Sequence, residues 1–226
     1  MASAKLSASE YVYKQLKEEI IFLELLPGQS IIEVDTSKRF NVSRTPVRAA
    51  FTRLESEGLV QIKPKHGSFV SLINIDEISD LMYMREKLEL AVLMDIEHIS
   101  KSQEVKLNVL LLQQLKILNS DLDEDEKAKK FLEADNDFHE MLFSLSNKES
   151  IWDKISEGNP HYNRLRLLSN KMNRSGLFKI QEEHVKIKDA IMRKDFDLLK
   201  DYYSVHVYEG MDNLADIVDR YSKYFS

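Results

Sequence analysis

Helix breakers are scarce in this chain, with only six glycines and four prolines among 226 residues. Helix is therefore the default, and strand is expected only where β-branched and aromatic residues gather between turn residues. One such place surrounds Pro64-Lys65-His66-Gly67. The flanking runs Leu59-Val60-Gln61-Ile62-Lys63 and Ser68-Phe69-Val70-Ser71 read as the two strands of a hairpin.

Three helices are expected ahead of the hairpin. Ser9 is placed to cap the first, from Glu10 to Leu25, with Val12, Leu16, Ile20 and Leu23 on one face and Pro27-Gly28 ending it. A short helix over Asp35–Phe40 leads to Asn41-Val42-Ser43, where Asn tolerates the left-handed backbone of a tight turn. The third runs from Thr45 to Glu57, with Ser43 as cap, Pro46 in its first turn and Gly58 closing it. Helix, helix, tight turn, helix and hairpin is the order of a winged helix-turn-helix.

Beyond Asp76 strand signals stop, and six helices are expected at 76–100, 103–122, 126–147, 150–173, 177–194 and 196–222. The chain thus reads as mostly α, with a winged helix-turn-helix over 1–74 and an all-helical bundle over 75–226. No apolar run approaches bilayer length, and the first twenty residues lack the apolar core of a secretory signal. Without cysteine there is no disulfide framework and no thiolate metal site. These readings predict a cytoplasmic protein without a membrane partner.

Charge divides at the same boundary. Residues 1–72 hold ten Lys and Arg against eight Asp and Glu, and the rest hold 22 against 30. Within 38–66 the count is seven basic to two acidic, the local excess that a phosphate-binding face needs. The start of the third helix carries the candidate contacts to double-stranded DNA: Ser43, Arg44, Thr45 and Arg48. Arginine suits bidentate contact with guanine, and hydroxyls near a helix start suit phosphate. Lys65, His66 and Gly67 form the hairpin tip that reaches backbone or minor groove. The ordinary alternative is a solvated basic face.

In the second half, ionisable residues fall on apolar faces. Asp135 and His139 lie one turn apart beside Phe131, Ala134, Phe138, Leu142 and Leu145. His184 is in line with Ile180, Ile187 and Ile191, and His206 with Leu199, Tyr203 and Leu214. Groups directed into a bundle must be hydrogen-bonded, paired or bound to metal. Periodicity leaves those choices open; a carboxylate with imidazoles suits Zn, Ni, Mn or Fe. Arg85 shares its helix's apolar face and has two readings, an internal pair with Glu89 or a guanidinium aimed at a carboxylate ligand. Tyr162, Asn163 and Arg166 are candidates to line the same cavity, whereas His98 and His161 join no convergent set.

The run LPGQSIIEVDTSKRFNVSRTPVRAAFTRLESEGLVQIKPKHGSFVS resembles the N-terminal domain of GntR-family bacterial regulators, with Pro27-Gly28, Glu33, Val42–Arg48, Leu54, Gly58–Val60 and Gly67 in register. It departs at Thr36-Ser37, where Leu-Ala is usual, and at Val34, which is often polar or basic. The second half resembles the FCD effector domain of the FadR branch, in a VanR-like, six-helix form. Its marks are Met84–Glu89, Asp135-x-x-Phe138-His139, Glu183-His184 and His206.

That resemblance implies a metal on Asp135, His139, His184 and His206, a small organic acid bound nearby, and a homodimer on a palindromic operator, acting as a repressor. A metal-dependent helical-bundle enzyme with a DNA-binding appendage is the rival. It lacks a paired Glu-x-x-His ligand set, a glycine-rich phosphate loop and a nucleophile elbow. A metal-free dimerisation module is the third possibility.

Overall fold

A computed structural model describes residues 6–157 and 160–226 of the chain. It resolves into two compact units, Met1–Ile75 with Tyr221–Ser226, and Asp76–Arg220. The sequence reading assigns the last six residues to the helical half; they pack instead with the first unit.

In the first unit α1 spans Ala8–Ile21, and the hydroxyl of Ser7, not Ser9, accepts from the Glu10 backbone amide as its cap. A left-handed turn at Leu23 (φ 59°) follows α1, and Gly28 supplies another at φ 80°. The Gly28 amide there donates to the Val70 carbonyl at 2.9 Å. Strand β1, Ser30–Ile31, is followed by α2, Glu33–Arg39, and α3, Arg44–Ser56. Asn41 turns the chain between these helices at φ 51°, the left-handed conformation expected of it.

Strands β2, Val60–Lys63, and β3, Gly67–Val70, form the hairpin. β1 adds to its far side as an antiparallel third strand, Ser30 opposite Phe69 and Ile31 opposite Ser68. Val12, Leu16, Ile20, Val47, Phe51, Leu54 and Leu59 make the dry centre under this sheet. Thr36 is buried on α2 despite its hydroxyl, and the Ser37 Oγ donates to the Val34 carbonyl at 2.8 Å. The departures from the family pattern are thereby accommodated within the helix.

The tail closes the unit. Ile73 pairs in parallel with Phe225; its amide donates to the Tyr224 carbonyl at 2.7 Å, and its carbonyl accepts from Ser226 at 3.1 Å. Ile73 is fully buried.

The second unit contains α4 Ile75–Met94, α5 Lys101–Leu118, α6 Glu124–Leu145, α7 Glu149–Glu157, α8 Pro160–Met172, α9 Arg174–Arg193, α10 Phe196–Glu209 and α11 Leu214–Arg220. That is eight helices among the described residues, so the six-helix expectation is corrected. The predicted helix at 76–100 stops at Met94, and a reciprocal capping box of Ser100 and Gln103 starts α5 after a non-helical stretch. Helix 150–173 divides at Pro160, which opens α8; residues 158 and 159 lie outside the described set. Helix 196–222 divides at Gly210, followed by a turn over 211–213. Helix α6 packs against α5, α7 and α8, while α9 packs against α5, α8 and α10. Among the described residues no helix is long and apolar enough to cross a membrane.

Candidate functional site

On the first unit, Val47, Ala50, Phe51 and Leu54 turn inward and hold α3 against the core. The opposite side of the helix start is therefore outward. Ser43, Arg44, Thr45 and Arg48 are all exposed, as are Lys65, His66 and Gly67 at the hairpin tip. Ser43 occupies the cap position without a side-chain capping bond, which leaves its hydroxyl directed to solvent chemistry. Arg48 is held in a fork: its Nε and Nη2 donate to the Glu33 carboxylate at 3.1 and 2.9 Å. That bond and the nearby charge of Arg44 lower the Glu33 carboxyl below its usual range. The tip is shaped by left-handed backbone at Lys65 (φ 66°) and Gly67 (φ 106°).

On the second unit, Asp135 and His139 come from α6, His184 from α9 and His206 from α10. All four are buried. One ring nitrogen from each histidine lies within 4.8 Å of those of the other two, an arrangement able to hold a metal ion. The Nε2 atoms of His139 and His206 are 3.2 Å apart, and His184 Nε2 is 3.3 Å from Asp135 Oδ1. Two nitrogens on one metal at about 2.1 Å stand roughly 3.0–3.4 Å apart for octahedral to tetrahedral angles.

The far side of two of the rings fixes which nitrogen is bare. Gln114 on α5 uses its Nε2 to donate to the Ala134 carbonyl at 3.1 Å, so its Oε1, 2.9 Å from His184 Nδ1, accepts the ring proton. Glu183 accepts from His206 Nδ1 at 3.1 Å, and Glu89 Oε2 lies 3.5 Å from His139 Nδ1. Protons on Nδ1 of His184 and His206 leave lone pairs on Nε2, the pattern of imidazoles oriented for a metal, whereas His139 Nδ1 makes no hydrogen bond. His184 Nε2 has no hydrogen-bond partner, and a buried polar atom left so is costly. Phe138 stacks on His184 with centroids 4.3 Å apart, and Trp152 stacks on His139 at 5.5 Å, fixing both rings.

Electrostatics agree with neutral His184 and His139 rings beside a charged carboxylate. Burial, reinforced by repulsion from His206, holds His184 well below the ordinary imidazole value, and burial lowers His139. Burial would raise Asp135, but the Arg166 guanidinium outweighs it and holds its carboxyl below the usual range.

Beside this cluster is a cavity of about 30 Å³ lined by Arg85, Tyr162, Arg166 and Asn170, with Asp135, His139 and His206 on its wall. Arg85 makes the internal pair expected of it and also lines this cavity. Its Nε and Nη2 pair with Glu89, and its Nη1 donates to the Tyr162 hydroxyl at 2.5 Å. Arg166 pairs with Asp135 and donates to Asn136 Oδ1 at 2.8 Å. Asn163 contacts Arg166 at 3.4 Å and stays at the margin. His98 is exposed; His161 is buried next to Arg164, away from the set.

Sequence reading missed Gln114. Its signal was available: it interrupts the buried stripe Leu107, Leu111 and Leu118 of α5, and a polar residue on such a stripe needs a partner.

Two domain families cover the chain in this order. Residues 8–70 match the bacterial regulatory proteins of the gntR family, and residues 80–209 match the FCD domain. The HTH-type transcriptional repressor RspR of Escherichia coli K12 is 30% identical over 220 residues, 96% of this chain and 93% of its own length. A regulator from an unstable DNA locus of Streptomyces ambofaciens is 31% identical over 207 residues, 91% of this chain and 84% of its own. The solved structure of E. coli McbR/YncC shares the fold, with a TM-score of 0.71 at 22% identity over 96% of this chain and all of that one. A winged helix-turn-helix joined to a helical ligand-binding bundle defines a DNA-binding transcription regulator. This chain belongs to the GntR family of such regulators, and its second domain is an FCD effector-binding domain.

Proposed function

We propose that this regulator is a homodimeric repressor whose hold on its operator is set by a small organic acid bound beside a divalent metal. The observation that carries this is the convergence of three buried imidazoles beside Asp135, two of them turned by an acceptor at Nδ1. Asp135 with His139, His184 and His206 makes one carboxylate and three imidazoles, a donor set suited to Zn, Ni, Mn or Fe. Four protein ligands on an octahedral ion leave two positions for water or an acid, whereas tetrahedral zinc is filled. Bound there, the metal would act as a Lewis acid toward a carboxylate oxygen. The chain's own guanidinium groups, Arg85 and Arg166, supply the positive charge around it.

Ser43, Arg44, Thr45 and Arg48 are the base- and phosphate-facing residues in this reading, with Lys65, His66 and Gly67 following the adjacent groove. An uncovered stripe on α5 supports self-association: Val105, Val109 and Leu112, one and two turns apart, are 52%, 55% and 64% exposed. Two copies would present two recognition helices to a palindromic site. The acid regulates to the extent that it prefers one arrangement of the dimer over another.

The first test is elemental mass spectrometry of tagless protein beside a His184→Ala variant. About one metal per chain in the native protein, lost in the variant, is the expected result. No metal in either, after incubation with divalent ions, removes the metal from this reading and leaves DNA binding intact. Light scattering tests the dimer, and a monomeric mass at working concentration would refute it.

A further inference from the structure

Of the two guanidinium groups facing the cavity, one has a carboxylate of its own and the other borrows a carboxylate from the metal cluster. Arg85 pairs with Glu89, and Glu89 is further fixed by the Tyr203 hydroxyl. Arg166 pairs with Asp135 through the Oδ2 oxygen, while Oδ1 of the same carboxylate lies 3.3 Å from His184 Nε2. The remaining partners of Arg166 are the amide oxygens of Asn136 and Asn163, both neutral.

We propose that Arg166 and the metal share Asp135 through its two oxygens, so that metal loading weakens the carboxylate's hold on Arg166 and makes Arg166 the receptor for the acid. This rests on the metal-and-acid reading given above and names the residue through which the two ligands are coupled. Asp135 and Arg166 are 6% and 8% exposed, so each charge is compensated chiefly by the other. One carboxylate cannot serve both cations fully. When a metal on Oδ1 draws its charge, Arg166 keeps a weakened bond to Oδ2 and two neutral amide acceptors in an enclosed space. An under-compensated buried guanidinium is a strong site for a carboxylate, which meets its planar fork with two oxygens.

The space fits that role. A cavity of about 30 Å³ accommodates two waters, or the two oxygens of one carboxylate. The Tyr162 ring lies between the two arginines, 5.0 Å from the Arg85 guanidinium carbon and 5.3 Å from that of Arg166, and limits how far either can swing. Arg85 stays neutralised by Glu89 in both states. The acid therefore meets one permanently compensated arginine and one whose compensation the metal weakens. The pocket then remains closed to acids until the metal is present.

The experiment is a calorimetric titration of metal-stripped, full-length protein with Ni2+, for the native chain, Arg166→Gln and Arg85→Gln, each with and without acetate. Arg166→Gln should bind Ni2+ about tenfold more tightly than the native chain, in the range usual for coupled sites. Acetate should tighten Ni2+ binding by the native chain clearly more than by Arg166→Gln, and an equal gain in both overturns the proposal. Arg85→Gln should lack the tenfold gain. Equal or weaker Ni2+ binding by a folded Arg166→Gln overturns the proposal while the metal reading stands. Failure of the native chain to bind Ni2+ removes both.

A measurement on the native chain alone covers the case in which Arg166→Gln does not fold. Acetate should raise its melting temperature only after Ni2+ loading, and an equal rise without Ni2+ overturns the proposal.

Discussion

A glutamine in a leucine stripe wets a helix interface unless both ends of its amide are bonded. Gln114 meets that condition by giving a hydrogen bond to Ala134 and taking one from His184. Gln114→Leu would fill the stripe and free the His184 ring to turn. Metal affinity should then fall about 10–100-fold, as for other lost outer-shell partners, with helicity unchanged; competition against a chromophoric chelator measures it. A second consequence follows from the depressed His184 and His139. In the unfolded chain they take protons below about pH 6.5, whereas the folded, metal-free protein resists doing so. Their contribution to stability is present above that pH and is lost as the pH falls through the folded values. The melting temperature of stripped protein should therefore drop from pH 7.5 toward 5.5, and a flat profile would contradict neutral buried rings. On the DNA face, Arg44→Ala with Arg48→Ala should abolish operator binding while circular dichroism stays native, since both side chains are exposed.

Among the elements, those built on strong periodicity were legible in sequence and those built on distant partners were not. The faces of α1, α3 and α6 follow directly from Val12, Leu16 and Ile20, from Val47, Phe51 and Leu54, and from Phe131, Phe138 and Leu142. Asp135 and His139 were visible because they break such a face at a spacing of four. Strand β1 has only two residues and owes its existence to pairing with Phe69 and Ser68 some forty residues on, so no local pattern marks it. The Arg166–Asp135 pair spans 31 residues and is likewise silent in either helix taken alone. The wing makes its own prediction. Gly67 holds φ 106°, and a Cβ there would meet nothing nearer than Phe69 Cε2 at 4.0 Å. Gly67→Ala should thus cost about 1–3 kcal/mol through backbone strain, not crowding. Chemical denaturation checks the magnitude, with operator binding weakened in parallel.

For the whole molecule, the notable fact is that the first unit is not one stretch of chain. Its last contribution, Tyr221–Ser226, arrives after the complete helical unit and seals Ile73 with two backbone hydrogen bonds. Removing 221–226 should lower the unfolding midpoint of the first unit by the loss of those bonds, about 0.5–1.5 kcal/mol each, plus the uncovering of Ile73. The effector domain is continuous in sequence and has all its parts once Arg220 is made. The reading head, begun first on the ribosome, has to wait for Phe225 before its final pairing can form. Synthesis thus has a built-in order, in which a chain cut short anywhere inside the sensor leaves the DNA-binding unit unfinished.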